Sequence, residues 1–525
     1  MDDALTHAPE SYHSAVAATV HTRRTIADAL EAGSLAWGSK VAVSFGDCDF
    51  SYSELWSRAR RSARIFLNAG VEAGAPVLVM LDNTIEFIDA WLGLALAGAI
   101  QVPVNCEYRG EILRHQIKDS GAEIMLIDER YAERVNELEG DVGRLDRLLV
   151  SGSTTPDSAL PQQRWQDLFS TSPELPLQEV ADIEEHEIVA IMYTSGTTGP
   201  SKGVRVAHAH AYTYAHLVAQ ALQLSREDVY FAPLPLFHIA GQWAQVYACL
   251  QVGATAVIRR RFSVSDFWNV VRESGATASF LLGAMANFLA RQEPKPDDAD
   301  NSMNRVLMVP LVNDVDGFRQ RFGVRVCTCY GSTEVNVPII SDYEVMDASS
   351  AGSAVPGFEL RIVDDNDREV PDGRVGELVV RTLEPWLLAT GYHGNPEATV
   401  RLFRNLWLHT GDAFRRDVEG RYLFVDRIKD YIRRRGENIS SFEVERAVNA
   451  HPAVLESAAV AVKSEQTEDD LKVVVVPKPG MMIDPVELRS FLRVRVPRFM
   501  LPDIVEVVYE LPKTPTGKIQ KHLLR

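Results

Sequence analysis

Cysteine is scarce in this chain. There are five, Cys48, Cys106, Cys249, Cys327 and Cys329, an odd number with none of the paired spacing of a zinc site. That argues against a disulfide scaffold and a structural zinc module, and the Cys327-Thr328-Cys329 pair, in a strand-like run, reads as buried thiols of a reducing compartment. Long hydrophobic runs are also missing. The longest, Ala90 to Ile100, has 11 residues, where about 20 are needed to span a bilayer. Basic charge is in deficit, with 54 Lys and Arg against 72 Asp and Glu and a net charge of −18. Such a field repels nucleic acid, although a local basic cluster can still hold a small anion. Internal repeats and low-complexity tracts are lacking, and Met1-Asp2-Asp3 does not open a signal pattern. The expected location is the cytoplasm.

What is present is a long chain of ordinary globular balance, 525 residues with 46% hydrophobic and 24% charged. Short apolar runs alternate with helical patterns. Val77–Leu81, Ile100–Val104 and Ile124–Ile127 read as buried strands, with helices opening near Phe50 and Asn83. The alternation continues through Val229–Pro233, Ala254–Ile258, Ala276–Leu282, Arg305–Val309 and Arg325–Tyr330. It predicts an α/β fold with parallel sheets. The polar segment Ser151–Glu185 reads as a surface connection. From Gly352 to about Phe424, short strands and turn signals predict a small β subdomain. About 100 further residues carry their own α+β pattern, so the expected domains are 1–426 and 427–525.

The most informative stretch is Tyr193-Thr-Ser-Gly-Thr-Thr-Gly-Pro-Ser-Lys-Gly-Val204. It places three glycines, five Ser/Thr hydroxyls and Lys202 directly after an apolar strand. Glycines let backbone approach a phosphate, N–H groups and hydroxyls donate to its oxygens, and the lysine adds charge. The Walker spacing is absent, because Gly199 stands three residues before Lys202. The full string resembles the phosphate loop of the acyl-adenylate-forming superfamily, which includes acyl-CoA synthetases, peptide-synthetase adenylation domains and luciferases. The resemblance runs from about residue 30 to 525, with several motifs in family order, and is greatest to the carnitine/crotonobetaine-CoA ligase-like branch.

The resemblance implies a function for each motif. Thr194, Ser195, Gly196, Thr197, Thr198, Gly199 and Lys202 would hold ATP phosphates. In Tyr330-Gly331-Ser332-Thr333-Glu334, the tyrosine would stack on adenine, Thr333 bond the α-phosphate and Glu334 hold Mg2+. Asp412 would accept from the ribose hydroxyls, and Arg427 would contact ribose or phosphate. His238 would lie near the reacting carboxylate, and Lys429 would be the hinge of a mobile C-terminal domain. Lys518, in Leu511-Pro-Lys-Thr-Pro-Thr-Gly-Lys518, would sit between carboxylate and α-phosphate as the main catalytic residue, with Thr194, His238 and Glu334 also at the reacting centre. An acid would be adenylated by MgATP and then passed to a thiol, commonly CoA, with Arg433, Arg434 and Arg435 available for its phosphates.

Two departures qualify the substrate and the acceptor. Arg435-Gly436-Glu437-Asn438 stands where CoA ligases often carry Gly-Gly-Glu-Asn, so Arg435 would narrow the passage for the pantetheine arm or point away from it. Met308-Val309-Pro310-Leu311 replaces Gly-Ala-Pro-Leu, which would shorten the acyl pocket. With Gln242, Trp243, Gly283 and Asn336 also expected to line it, the pocket favours a small aromatic or partly polar acid. The alternatives are a diazotase-type enzyme that adenylates nitrite for an aryl amine, transfer to another acceptor such as a carrier-protein thiol, and a non-catalytic nucleotide switch. A monomer or homodimer is expected.

Overall fold

The computed structural model describes residues 23–525 except 139–140, 156–157, 195–199, 346, 429–431, 435–436, 464–468, 494 and 515–518, and it does not describe the side chains of 433–434, 437–438 and 469. It is an α/β protein whose larger part holds two seven-stranded, largely parallel sheets. One runs in the order Arg325–Cys327, Arg305–Val309, Ala278–Leu282, Val229–Ala232, Thr255–Ile258, Val41–Phe45 and Cys48–Ser51, with only the last strand antiparallel. The other runs Gln162–Arg164, Arg147–Ser151, Ile124–Asp128, Pro76–Met80, Ile100–Pro103, Ile188–Thr194 and Lys202–Ala207, again with only the last antiparallel. Strands covered on both faces read as continuous apolar runs, which is why Ile124–Asp128 is buried at every position.

The 11-residue apolar run begins inside the helix Ile85–Leu96, capped by Thr84, whose hydroxyl accepts the Phe87 N–H. Phe87 through Leu96 are all buried, so this is a core helix. Asp89 is buried within it and takes two bonds from Arg58, at 2.8 and 2.6 Å. Burial pushes its carboxyl up to about 6 although Arg58 pulls it down. Among the described residues, no helix is long and apolar enough to cross a membrane.

The third seven-stranded sheet is antiparallel and begins earlier than the turn signals predict, at Cys329 rather than Gly352. The run Arg325–Tyr330, expected as one strand, divides at Thr328. Arg325–Cys327 joins the parallel sheet, and Cys329–Ser332 joins the antiparallel one. Thr328 leaves both ladders because its N–H goes to Ser341 Oγ and its hydroxyl to the Met308 carbonyl. The polar segment Ser151–Glu185 also differs from expectation. It contains the strand Gln162–Arg164 and the helix Trp165–Thr171, anchored by a fully buried Trp165 that packs against Phe66.

Residues 432–507 form a three-stranded sheet, Val454–Lys463, Asp469–Pro477 and Ile504–Val507, with the helices Ser441–Asn449 and Pro485–Leu492. They have their own apolar cluster, including Val444, Val448, Leu471, Val473 and Leu488. Asp426 accepts from the Ser441 N–H and hydroxyl, both at 2.6 Å, at the start of the first of these helices.

Candidate active site

The two parallel sheets present the C-terminal ends of their strands to one another, the edge at which open α/β sheets bind ligands. Asn83, which follows the strand Pro76–Met80, shows this convergence. Its amide donates to the Leu234 and Arg259 carbonyls, both at 3.0 Å, and its oxygen accepts the Leu236 N–H at 2.8 Å. The segment it clamps leads directly into Phe237-His238.

The predicted phosphate loop joins the antiparallel strands Ile188–Thr194 and Lys202–Ala207, with Thr194 and Lys202 paired at its base. Ser195, Gly196, Thr197, Thr198 and Gly199 lie outside the described residues. Lys202 stands with its ammonium 5.0 Å from the centre of the Tyr392 ring, a cation–π contact. Strand Lys202–Ala207 is in turn bridged to residues 389–393 through Val204 and Tyr392, and His393 donates to the Gly203 carbonyl at 2.7 Å.

Glu334 receives three hydroxyls. Thr194 reaches Oε1 at 3.4 Å, Tyr392 reaches Oε1 at 3.2 Å and Ser332 reaches Oε2 at 3.0 Å. Its position comes from a turn in which the Ser332 hydroxyl accepts the Glu334 N–H and Ala389 donates to the Glu334 carbonyl. Gly331 is required just before it, since a Cβ there would lie 2.4 Å from the Asn336 carbonyl oxygen. Thr333 is buried beside it. On the other side of the motif, Tyr330 donates to Asp412 Oδ2 at 2.6 Å, and Arg427 Nε stands 3.4 Å from Asp412 Oδ1. The Tyr330 ring packs edge-to-face on Phe414 at 4.8 Å. Burial, then the charge of Asp412, raises the Tyr330 phenol well above its usual value, so it remains a donor. Thr194, Lys202, Tyr330, Ser332, Thr333, Glu334, Asp412 and Arg427, scattered over more than 230 positions, thus fall into two linked clusters. Among the described residues, no group of three or more His, Cys, Asp or Glu could by itself hold a metal ion. Glu334 is therefore a single carboxylate donor, which suits a Mg2+ ion completed by phosphate oxygens and water.

His238 caps a short helix. Its Nδ1 accepts the Ala240 N–H at 3.3 Å, which assigns the neutral ring to the tautomer with hydrogen on Nε2. Gly283 begins a helix at the end of the strand Ala278–Leu282, where a Cβ would meet the Pro310 carbonyl oxygen at 2.6 Å. Several expected pocket residues are fully buried. Met308 is fully buried, with its sulfur accepting the Val312 N–H at 3.4 Å, and only Val309 of that pair keeps accessible surface, because neighbours on a strand face opposite ways. Gln242, Trp243 and Asn336 likewise have no accessible surface. Gln242 is bonded to Gln101, Trp243 packs against His210 and Tyr214, and Asn336 donates to the His210 and Leu387 carbonyls. Lys518, Lys429, Arg435 and Gly436 lie outside the described residues, as do the side chains of Arg433 and Arg434.

One member of the site was not anticipated from the sequence. Tyr392 touches both Glu334 and Lys202, and Gly391-Tyr392 ahead of Pro396 carries no local sign of chemistry.

The fold and this constellation define an enzyme of the AMP-forming acid–thiol ligase class. The chain belongs to the AMP-binding enzyme family: the profile of that family matches residues 30–393, and the profile of the AMP-binding enzyme C-terminal domain matches residues 443–518. The chain is 31% identical to a crotonobetaine/carnitine–CoA ligase of Salmonella paratyphi B over 506 residues, 93% of this chain and 96% of the relative. Its fold is shared with an anthranilate CoA ligase in complex with anthranoyl-AMP, with a TM-score of 0.87, 24% identity and coverage of 97% and 98% of the two chains. A benzoate CoA ligase from Burkholderia xenovorans LB400 follows, with a TM-score of 0.85, 24% identity and coverage of 95% and 99%.

Proposed function

We propose that this enzyme adenylates a compact aromatic or polar carboxylic acid with ATP and transfers the acyl group to CoA. The observation that carries the reading is the joining of a hydroxyl-held carboxylate, Glu334, to the base of a Gly/Ser/Thr loop, next to the Tyr330–Asp412–Arg427 cluster. Asp412 is suited to accept from ribose hydroxyls and Arg427 to meet a phosphate. Glu334 would hold Mg2+, which would offset negative charge on the phosphates. In the first half-reaction a carboxylate oxygen bonds to the α-phosphorus, and the α–β bridging bond breaks to release diphosphate. Lys518 stabilises the charge that develops on the α-phosphate, and Thr194 and Lys202 orient the chain that leaves. In the second, residues 427–525 turn about Lys429, and the thiolate sulfur bonds to the acyl carbon as AMP departs, the thiol proton passing to solvent. Arg435, in place of glycine, would narrow the passage for the pantetheine arm or point away from it. Relatives named for carnitine, anthranilate and benzoate support the choice of a compact acid.

The test is acid-dependent exchange of labelled diphosphate into ATP over a panel of small aromatic and betaine-like acids, followed by thioester formation with CoA. Lys518→Ala should lower exchange about 10²–10³-fold while sparing thioester formation from supplied acyl-AMP. Equal loss in both steps would contradict the role given to Lys518. Exchange with nitrite and an aryl amine but with no acid would replace the ligase by a diazotase.

A further inference from the structure

We propose that Glu377 is a positioning residue for the nucleotide, holding the bulge Thr410-Gly411-Asp412 in the shape that aims the Asp412 carboxylate at the ribose. The inference rests on the reading of Asp412 as the ribose acceptor. The bulge follows from the strand register. Gly376–Thr382 runs antiparallel to Leu408–Arg416, with Glu377 opposite Ala413 and Val379 opposite His409. Leu378 alone therefore faces Thr410, Gly411 and Asp412. A bulge re-aims the side chain it carries, and the backbone groups it takes off the ladder must find other partners. Side chains supply them here. Glu377 Oε1 accepts the Gly411 N–H at 3.0 Å. The Thr410 hydroxyl accepts the Asp412 N–H at 3.1 Å and donates to the Leu378 carbonyl at 2.7 Å. Gly411 has a φ of 71°, a conformation open to glycine and strained for most other residues. On the far side of the bulge, Asp412 pairs with Arg427 on the next strand.

Glu377 is itself clamped. Its second carboxylate oxygen, Oε2, lies 2.9 Å from His409 Nδ1, and the two side chains are only 16% and 7% exposed. His409 Nε2 stands 3.2 Å from the Arg404 carbonyl, and the Arg404 guanidinium forks onto Asp367 at 2.9 and 2.5 Å. One oxygen of Glu377 thus grips the loop while the other is held by a ring that is packed in place. The effect on the nucleotide is indirect. It passes through the Gly411 backbone to the next residue, Asp412, whose carboxylate is already oriented by Tyr330 at 2.6 Å. A hydrogen bond to an ionised acceptor is stronger than a neutral one, and a small misplacement of a group that grips substrate costs affinity or rate out of proportion to the distance.

The experiment measures acid-dependent diphosphate exchange with ATP and with dideoxyATP, which lacks both ribose hydroxyls, in the wild-type enzyme and in Glu377→Ala. In the variant the KM for ATP should rise about five- to tenfold, with kcat within about twofold. The KM for dideoxyATP should stay within about twofold of the wild-type value, because the contact being loosened is one that this nucleotide cannot make. Glu377→Gln keeps an acceptor oxygen for the Gly411 N–H and should recover most of the affinity for ATP. The ratio of the two KM values does not depend on how much of a variant preparation is folded, so poor folding does not mask the result. An unchanged KM for ATP in Glu377→Ala overturns the proposal. So does an equal rise for both nucleotides, which is what general loosening of the strands produces, and so does a Glu377→Gln variant as impaired as Glu377→Ala. A wild-type enzyme that uses ATP and dideoxyATP equally well removes the ribose role of Asp412 itself, a result distinct from wild-type discrimination that survives Glu377→Ala.

Discussion

Glu334 forms no ion pair among the described residues, and its three hydroxyl partners orient the carboxylate without neutralising it. That arrangement keeps a full negative charge available to a cation, where an arginine partner would have consumed it. Glu334→Gln preserves size and one acceptor oxygen but removes the charge. Acid-dependent diphosphate exchange should fall about 10²–10³-fold, with the loss steepest at low Mg2+, while the thermal midpoint stays near that of the wild type. Tyr392→Phe retains the ring beneath Lys202 and deletes one hydrogen bond, so exchange should fall only about five- to tenfold. An effect of Tyr392→Phe as large as that of Glu334→Gln would mean that the phenol acts on substrate directly. At this scale the sequence motif named Glu334 and Thr194 but passed over Tyr392. A lone tyrosine in a turn has no periodicity or spacing that marks it, and only the bridge from Val204 to Tyr392 carries it to the site.

Among the elements, the helix His208–Ala221 is buried over most of its length and brings His208 and His210 into the core. Burial holds His208 at about 3 and His210 at about 4, far below the ordinary imidazole value. Because these folded-state values lie below the unfolded one, the stability they carry is complete above about pH 6.5 and is lost as pH falls toward 4, where the unfolded chain binds the protons more tightly. His210 alone accounts for a loss of about 3 kcal/mol across that window. Thermal melts from pH 7 to pH 4 should show a falling midpoint, and His210→Phe should flatten the decline even if it lowers the midpoint at pH 7. A decline of equal slope in the variant would place the acid sensitivity elsewhere. Element type was largely readable, because strands buried on both faces are short apolar runs and helices repeat at 3.6 residues. Two features escaped the periodicity. Thr328 divides one apolar run between two sheets through side-chain hydrogen bonds, and the polar segment Ser151–Glu185 is fastened by the single buried ring of Trp165.

Across the whole molecule, the C-terminal unit has its own apolar cluster and meets the larger part at Asp426, which accepts from Ser441 just beyond the predicted hinge. A turn of residues 427–525 about Lys429 must break those bonds, and a proline at the pivot fixes a torsion that the turn needs. Lys429→Pro should therefore slow thioester formation from acyl-AMP by roughly tenfold or more while leaving adenylation within about twofold. Unchanged second-step kinetics would remove the hinge from Lys429.

The sequence by itself determined the class of fold, the order of its elements and the family, because burial pattern and a contiguous phosphate loop are local properties written in adjacent residues. Tertiary structure alone decided which side chains share a site. It buried Gln242, Trp243, Asn336 and Met308 completely, brought Tyr392 to Glu334, and set Arg259 beside the approach to His238 through Asn83. Those outcomes depend on how two sheets meet edge to edge, a contact between residues more than 100 positions apart that no local pattern encodes.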